Sequence, residues 1–226
     1  MAGEPPILFD AVEAAAGLPP LTLAVPPHHS VAILGDESVG VGRLGGYVLG
    51  LELPRTGRVR VFGTAIAELP PRDRLAFRRR LGYLPAGDGL VHNLSLRDNV
   101  ALPLRFGSTA SAADIDGRVN VMLAHAGLDR AADLRPAQAT DEQRRRAALA
   151  RAMAFDPALL VLEHPFDGVA SRTAAELLEL ARGGEVEAGG RRTILLMGPE
   201  LPDRIARRVE AVYRLTREGL MTPERV

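Results

Sequence analysis

The chain contains no cysteine and no lysine. Without cysteine there are no disulfides, no thiolate metal sites and no cysteine nucleophile. Without lysine, all 28 basic side chains are arginines. The formal net charge is zero, which excludes a bulk attraction to nucleic acid or anionic lipid, so no nucleic-acid partner is expected. No apolar run approaches the roughly 18 residues that a membrane helix needs. The start, Met1-Ala-Gly-Glu-Pro-Pro, lacks a basic region followed by an apolar one, so no signal peptide is expected. There is no internal repeat and no low-complexity tail. A cytoplasmic chain follows, with any membrane role supplied by a partner.

What is there has the texture of a folded domain. At 226 residues, 46% hydrophobic and 25% charged, the chain suits one large domain or a core with an inserted lobe. The arginine runs Arg78 to Arg80 and Arg144 to Arg146 read as solvated helix faces. Ile7 to Val12 and Leu21 to Val25 read as short strands separated by the turn-prone Gly17-Leu-Pro-Pro20. Val31 to Leu34 is wholly apolar, as in the middle of a parallel sheet. Leu44 to Leu53 is expected as a helix, Arg58 to Phe62 as a strand, Pro71 to Arg80 as a helix and Leu81 to Leu84 as a strand. Leu96 to Leu104, Ala112 to Ala126 and Gln143 to Ala154 then read as successive helices. Strands resume at Leu159 to Leu162 and Thr193 to Met197 around a helix at Thr173 to Arg182, with a last strand at Val212 to Leu215. Gly183 to Gly190 is the most linker-like stretch. Alternating strands and helices with a helical block in the middle imply a parallel α/β core with an inserted helical lobe.

The stretch after the first apolar strand carries the chemistry. Gly35 and Gly40 keep the G-x-x-x-x-G spacing of a phosphate-binding loop between a strand and a helix. Val41 stands where that loop has its lysine, and Gly42 where it has the magnesium-binding Ser or Thr. The backbone N–H groups of such a loop point at an anion, and Gly35, Ser38, Gly40, Val41, Gly42 and Arg43 make up this degenerate version. Arg43 would have to reach back to replace the lysine. Asp36 and Glu37 add negative charge; carboxylates suit a helix N-terminus, which implies that they occupy the anion site themselves. Gly40-Val-Gly-Arg-Leu-Gly45 also spells the dinucleotide fingerprint, but the next strand ends Val61-Phe-Gly63 without the acid that fingerprint requires.

Taken in order, these segments resemble the nucleotide-binding subunit of ABC transporters, from about Ile7 to Met221. Leu51-Glu-Leu-Pro-Arg-Thr-Gly57 is similar to the turn after the family's first helix. Arg80-Leu-Gly-Tyr-Leu84 is similar to the strand before its Q-loop, and Leu94 to Leu104 to the segment after it. Gln143 to Ala152 is similar to the helix following the signature, and Leu159-Leu-Val-Leu-Glu-His-Pro-Phe166 to the Walker B strand. The resemblance implies a P-loop NTPase-like α/β fold: a parallel-sheet core, an N-terminal antiparallel β portion and an inserted helical lobe. It implies one nucleotide-binding domain over residues 1–226, with the lobe at about 88–152.

The same resemblance implies lost chemistry. The Q-loop glutamine aligns with Ala86, the signature with Ala139-Thr-Asp-Glu-Gln143, the D-loop aspartate with Ala170 and the switch histidine with Pro199. No aromatic residue stands near Ala14 to Gly17 to stack on adenine. Thr140 and Gln143 have the spacing of a capping box, while Asp141 and Glu142 put negative charge where the signature helix should meet phosphate. The Walker B pair becomes Glu163-His164, vestigial candidates for a metal-holding carboxylate and a general base. His28, His29, His92 and His125 form no metal cluster. The implied function is a degenerate, pseudo-ATPase structural or regulatory subunit of a membrane transporter. ATP, and Mg only with it, are its implied cofactors. The implied partners are a permease, gripped through Leu90 to Leu104, and a second nucleotide-binding subunit; the implied location is the inner face of the cell membrane, reached through the permease. The alternatives are a divergent active ATPase using Arg43, Glu163 and His164, a free-standing scaffold, and a dinucleotide-binding protein.

Overall fold

The computed structural model describes residues 4–183 and 191–221. Residues 184–190 of the expected linker lie outside the described residues. Strands β1 (Ile7–Val12), β2 (Leu21–Val25) and β4 (Arg58–Val61) form an antiparallel sheet in the order β2-β1-β4. The main sheet has six strands in the order β5-β6-β7-β3-β8-β9. Its members are β3 (Ser30–Leu34), β5 (Leu81–Leu84), β6 (Leu159–Glu163), β7 (Thr193–Gly198), β8 (Ala211–Thr216) and β9 (Gly219–Met221). The β3, β5, β6, β7 and β8 pairings are parallel; β9 pairs antiparallel with β8.

The apolar runs of β3, β6 and β7 are buried throughout because both faces of the sheet are covered. Their alternation sorts residues between two cores. Ala32, Leu34, Leu160, Leu162, Ile194 and Leu196 pack toward the helical side. Val31, Ile33, Leu159, Val161, Leu195 and Met197 pack toward α1 (Val41–Val48) and the N-terminal sheet. Between β5 and β6 the chain leaves the sheet for α3 (Leu96–Gly107), α4 (Ala112–His125) and α5 (Asp141–Ala152). The remaining helices are α2 (Pro71–Arg78), α6 (Ser171–Arg182) and α7 (Asp203–Ala206).

Three boundaries depart from the sequence reading by three residues or more. Helix α1 begins at Val41 rather than Leu44, because Gly40 (φ 78°) turns the chain directly into it. It ends at Val48 rather than Leu53, because Gly50 (φ 62°) adopts the left-handed conformation and lets the N–H groups of Leu51 and Glu52 return to Gly46 O. Helix α3 continues through Pro103 to Gly107 and closes where Ser108 N and Oγ both donate to Leu104 O. The last expected strand is one arm of a β8–β9 hairpin.

Candidate functional site

The loop between β3 and α1 is held at both ends. Gly35 N–H donates to Gly198 O at 2.9 Å, tying it to the end of β7. Gly40 packs against the Ala14 carbonyl and lies 3.1 Å, by the position a Cβ would take, from the Ala15 methyl. Only glycine serves there, since the site demands both a positive φ and no side chain. The stretch expected to carry an adenine-stacking aromatic is thus laid directly on the phosphate loop, with Ala14 only 2% exposed.

Asp36 caps the short turn Glu37–Val39, its Oδ1 accepting from Ser38 N at 2.8 Å and also from Ser38 Oγ. These Ser38 bonds hold the Asp36 carboxyl below its usual range. Ser38 Oγ is committed to this cap. Glu37 takes the other direction. Both its carboxylate oxygens lie 3.1 Å from where a Cβ on Gly42 would stand, so they lie beside the first turn of α1. A carboxylate there is favoured by the helix dipole by about 0.3–1 kcal/mol. Of the two acids expected to fill the anion cradle, only Glu37 lies beside the helix.

The side chains that follow give the loop no cation. Val41 is 1% exposed and packs into the core between α1 and the N-terminal sheet. Arg43 does not reach back. Its Nη2 lies 3.2 Å from Glu52 Oε2, beyond the C-terminal end of α1, and its guanidinium sits 5.4 Å from the Tyr47 ring centroid.

At the end of β6 Glu163 is buried, at 8% exposure. Its Oε2 accepts from Tyr83 Oη at 3.0 Å and from Ala86 N at 3.2 Å. Its Oε1 presses on Gly45 of α1, where any Cβ would fall inside contact distance. The longer arm of a glutamate fits at this strand end because α1 offers no side chain opposite it. Burial pushes the Glu163 carboxyl up from its ordinary range, against the pull of Tyr83 and Ala86. Burial and the adjacent carboxylate push the Tyr83 phenol up as well, so it stays a donor. His164 next along has a left-handed backbone (φ 48°), and its Nδ1 lies 3.0 Å from Asp167 Oδ2. Sequence reasoning found Glu163 and His164 but not Tyr83 or Gly45; the available signal was a helix glycine with no turn to make.

The N-terminus of α5 carries the expected capping box: Gln143 N donates to Thr140 Oγ1 (3.2 Å) and Thr140 N to Gln143 Oε1 (2.9 Å). The arginines that follow are not a solvated face. Arg144 pairs with Asp88 (3.1 Å) and Asp141. Arg145 is buried and donates to Gly87 O and to Asp167 O (3.4 Å), and burial holds its guanidinium below its usual range. Arg146 pairs with Glu142 (3.0 Å) and Glu176 (2.5 Å). Five residues on, Arg151 donates to Gly89 O (2.7 Å) and Asp88 O (3.0 Å). The run points inward because loop carbonyls and carboxylates from three segments converge on it. In the other run, Arg78 likewise turns in, donating to Leu49 O and Gly50 O.

A groove of about 320 Å³ opens between α2, β5, α3 and the end of α5. Leu75, Pro103, Phe106 and Phe155 give it an apolar lining, with Arg78, Arg79 and Arg151 among its walls. No carboxylate lines it among the described residues. Phe106 is 84% exposed.

A family model described as ABC transporter matches residues 18–167. The methionine import ATP-binding protein MetN 2 of Paraburkholderia xenovorans is 32% identical over 190 residues, 80% of this chain and 49% of that protein. The sulfate/thiosulfate import ATP-binding protein CysA of Yersinia pestis is 30% identical over 211 residues, 91% of this chain and 56% of that protein. The chain spans about half the length of the curated relatives it matches. Among solved structures, a dimeric ATP-binding cassette in a post-hydrolysis state with ADP and Pi superimposes with a TM-score of 0.82 at 22% identity, over 97% of this chain and 100% of that one. The cbiO1 protein of Clostridium perfringens, part of the ABC transporter complex cbiONQ, does so with a TM-score of 0.81 at 18% identity, over 96% and 87%.

Proposed function

Since this chain belongs to the ABC transporter family, we propose that it is a transporter cassette subunit kept for its shape rather than for ATP hydrolysis. The observation that carries this reading is a phosphate loop with a carboxylate beside its helix and no cation in it. Glu37 lies beside the first turn of α1, Val41 is buried in the core, and Arg43 is engaged by Glu52. A polyphosphate entering this loop would meet a carboxylate instead of a cation. Ser38 Oγ is tied to Asp36, and Glu163 is held by Tyr83 and Ala86, so neither is presented to a magnesium ion. These residues do not fit Mg–ATP.

The retained activity is docking. The groove beside Phe106 suits an amphipathic helix of a membrane permease that carries a large apolar residue next to a carboxylate, since three arginines line the groove without an acid. Among the described residues no helix is long and apolar enough to cross a membrane. The chain would therefore sit on the cytoplasmic face of the membrane through that permease, beside a second cassette subunit.

Calorimetric titration of the full chain with ATP, with and without magnesium, tests this reading. No saturable binding below millimolar concentration is expected. Micromolar binding with turnover would sink it. A second reading, a divergent ATPase, draws on the His164–Asp167 pair, which has the geometry of an oriented general base. It requires measurable hydrolysis that His164→Ala abolishes.

A further inference from the structure

The segment from Tyr83 to Leu90 joins β5 to the helical lobe. It contains Gly87 (φ 76°) and Gly89 (φ 58°), both in the left-handed conformation. A glycine-bearing loop at such a junction is ordinarily the pliable part of a fold. Here it is gripped from both sides. From the sheet, the Glu163 carboxylate accepts from Tyr83 Oη and Ala86 N. From the lobe, Arg145 and Arg151 of α5 donate to the carbonyls of Gly87, Asp88 and Gly89, and Arg144 pairs with the Asp88 carboxylate. Asp88 Oδ1 closes the loop on itself by accepting from Leu90 N at 2.9 Å. Charge-assisted bonds of this kind are the stronger ones in proteins.

The two grips also meet the docking groove. Tyr83 forms part of its sheet-side wall and Arg151 part of its lobe-side wall. Glu163 itself points at Gly45 of α1, so the brace runs from α1 through β6 and the loop into α5. Each member is bonded to protein partners.

We propose that Glu163 and the α5 arginines brace the junction between sheet and helical lobe, so that the groove for an acidic amphipathic helix is preformed without nucleotide. Glu163 is on this view a positioning residue, and the carboxylate at the end of β6 works as a structural tie. The inference rests on the docking reading above, and its test is separable from it.

The absence of cysteine permits clean spin-labelling at Arg60→Cys on β4 and Ala113→Cys on α4, both exposed positions. Pulsed dipolar spectroscopy on the full chain is expected to give one narrow distance that Mg–ATP leaves unchanged. Glu163→Ala, and Arg145→Met combined with Arg151→Met, should broaden it. Amide exchange at Ala86 should accelerate about tenfold or more in Glu163→Ala, the factor given by loss of one charge-assisted hydrogen bond. If these variants fail to fold, Glu163→Gln and Arg151→Lys should show the same changes in smaller measure. A distance in the unaltered chain that is broad or shifts with Mg–ATP overturns the proposal. So do variants that keep both the wild-type distance and the wild-type Ala86 exchange. No permease enters the measurement. A rigid junction in a chain that captures no permease removes the docking reading alone; a pliable junction in a permease-bound chain removes the brace alone.

Discussion

Replacing Gly45 by alanine sets two effects of opposite sign against each other. In a helix interior, glycine to alanine ordinarily stabilises by about 1 kcal/mol, because glycine loses more backbone freedom on folding. In this fold the added methyl would stand inside contact distance of Glu163 Oε1 and 3.0 Å from Met197 Cε. Methionine can swing its terminal methyl aside at little cost. Glu163 cannot move so freely, because it is buried and its other oxygen is fixed by Tyr83 and Ala86. Displacing it weakens hydrogen bonds to a charged group, about 1.5–3 kcal/mol. The clash wins by about 1 kcal/mol, which for a chain of this size lowers Tm by about 2–4 °C. Glu163→Asp shortens the arm and should relieve the clash, so the double variant is expected to show a favourable coupling of about 1 kcal/mol in a double-mutant cycle. Thermal and urea unfolding of the four proteins measure this. If Gly45→Ala raises Tm, as it would at an open helix position, the placement of Glu163 against α1 is refuted.

Other outcomes follow from the same geometry. The Glu163 carboxyl is raised by burial above its ordinary value of 4.5, so between that pH and the raised value the folded state holds a proton that the unfolded chain has released. That contribution is present below pH 4.5 and is lost as pH rises through the folded value. Glu163→Gln should therefore gain stability relative to wild type as pH increases, and a constant difference in urea midpoint across this range would contradict it. Thr140→Ala removes the Oγ1 that caps Gln143 N and should cost about 1 kcal/mol in urea unfolding, whereas Thr140→Ser should stay near wild type. Arg43→Ala should change stability by less than about 1 kcal/mol, since its pairing with Glu52 is half exposed. It should also leave anion binding unchanged in a phosphate or ATP titration; a marked loss would reinstate Arg43 as the substitute for the missing lysine.

Much of the fold was legible because its signals are local. The apolar runs of β3, β6 and β7 read as strands, that of β3 as one inside a parallel sheet, and all three are buried throughout. Thr140 and Gln143 named their capping box by spacing alone. The order of segments carried the family resemblance. Less legible were features that depend on a competing neighbour. Leu44 to Leu53 reads as one apolar helix, yet Gly50 breaks it because its backbone turn closes on Gly46 O. Arg144 to Arg146 reads as a solvated face, yet the loop carbonyls and acids that draw it inward come from segments far along the chain.

The sequence alone determined that this chain has an ABC-type α/β fold, and it supplied the letters from which the resemblance implies that the residues the family uses on ATP are replaced. Those facts lie in residue identity and short-range periodicity. Tertiary structure decided where the side chains at those positions go. Glu37 folds onto α1, Arg43 turns to Glu52, and Glu163 reaches past Gly45 to meet Tyr83, a partner 80 positions away. Pattern along a chain fixes which face of an element is apolar. Only packing decides which charged group is close enough, and buried enough, to hold another.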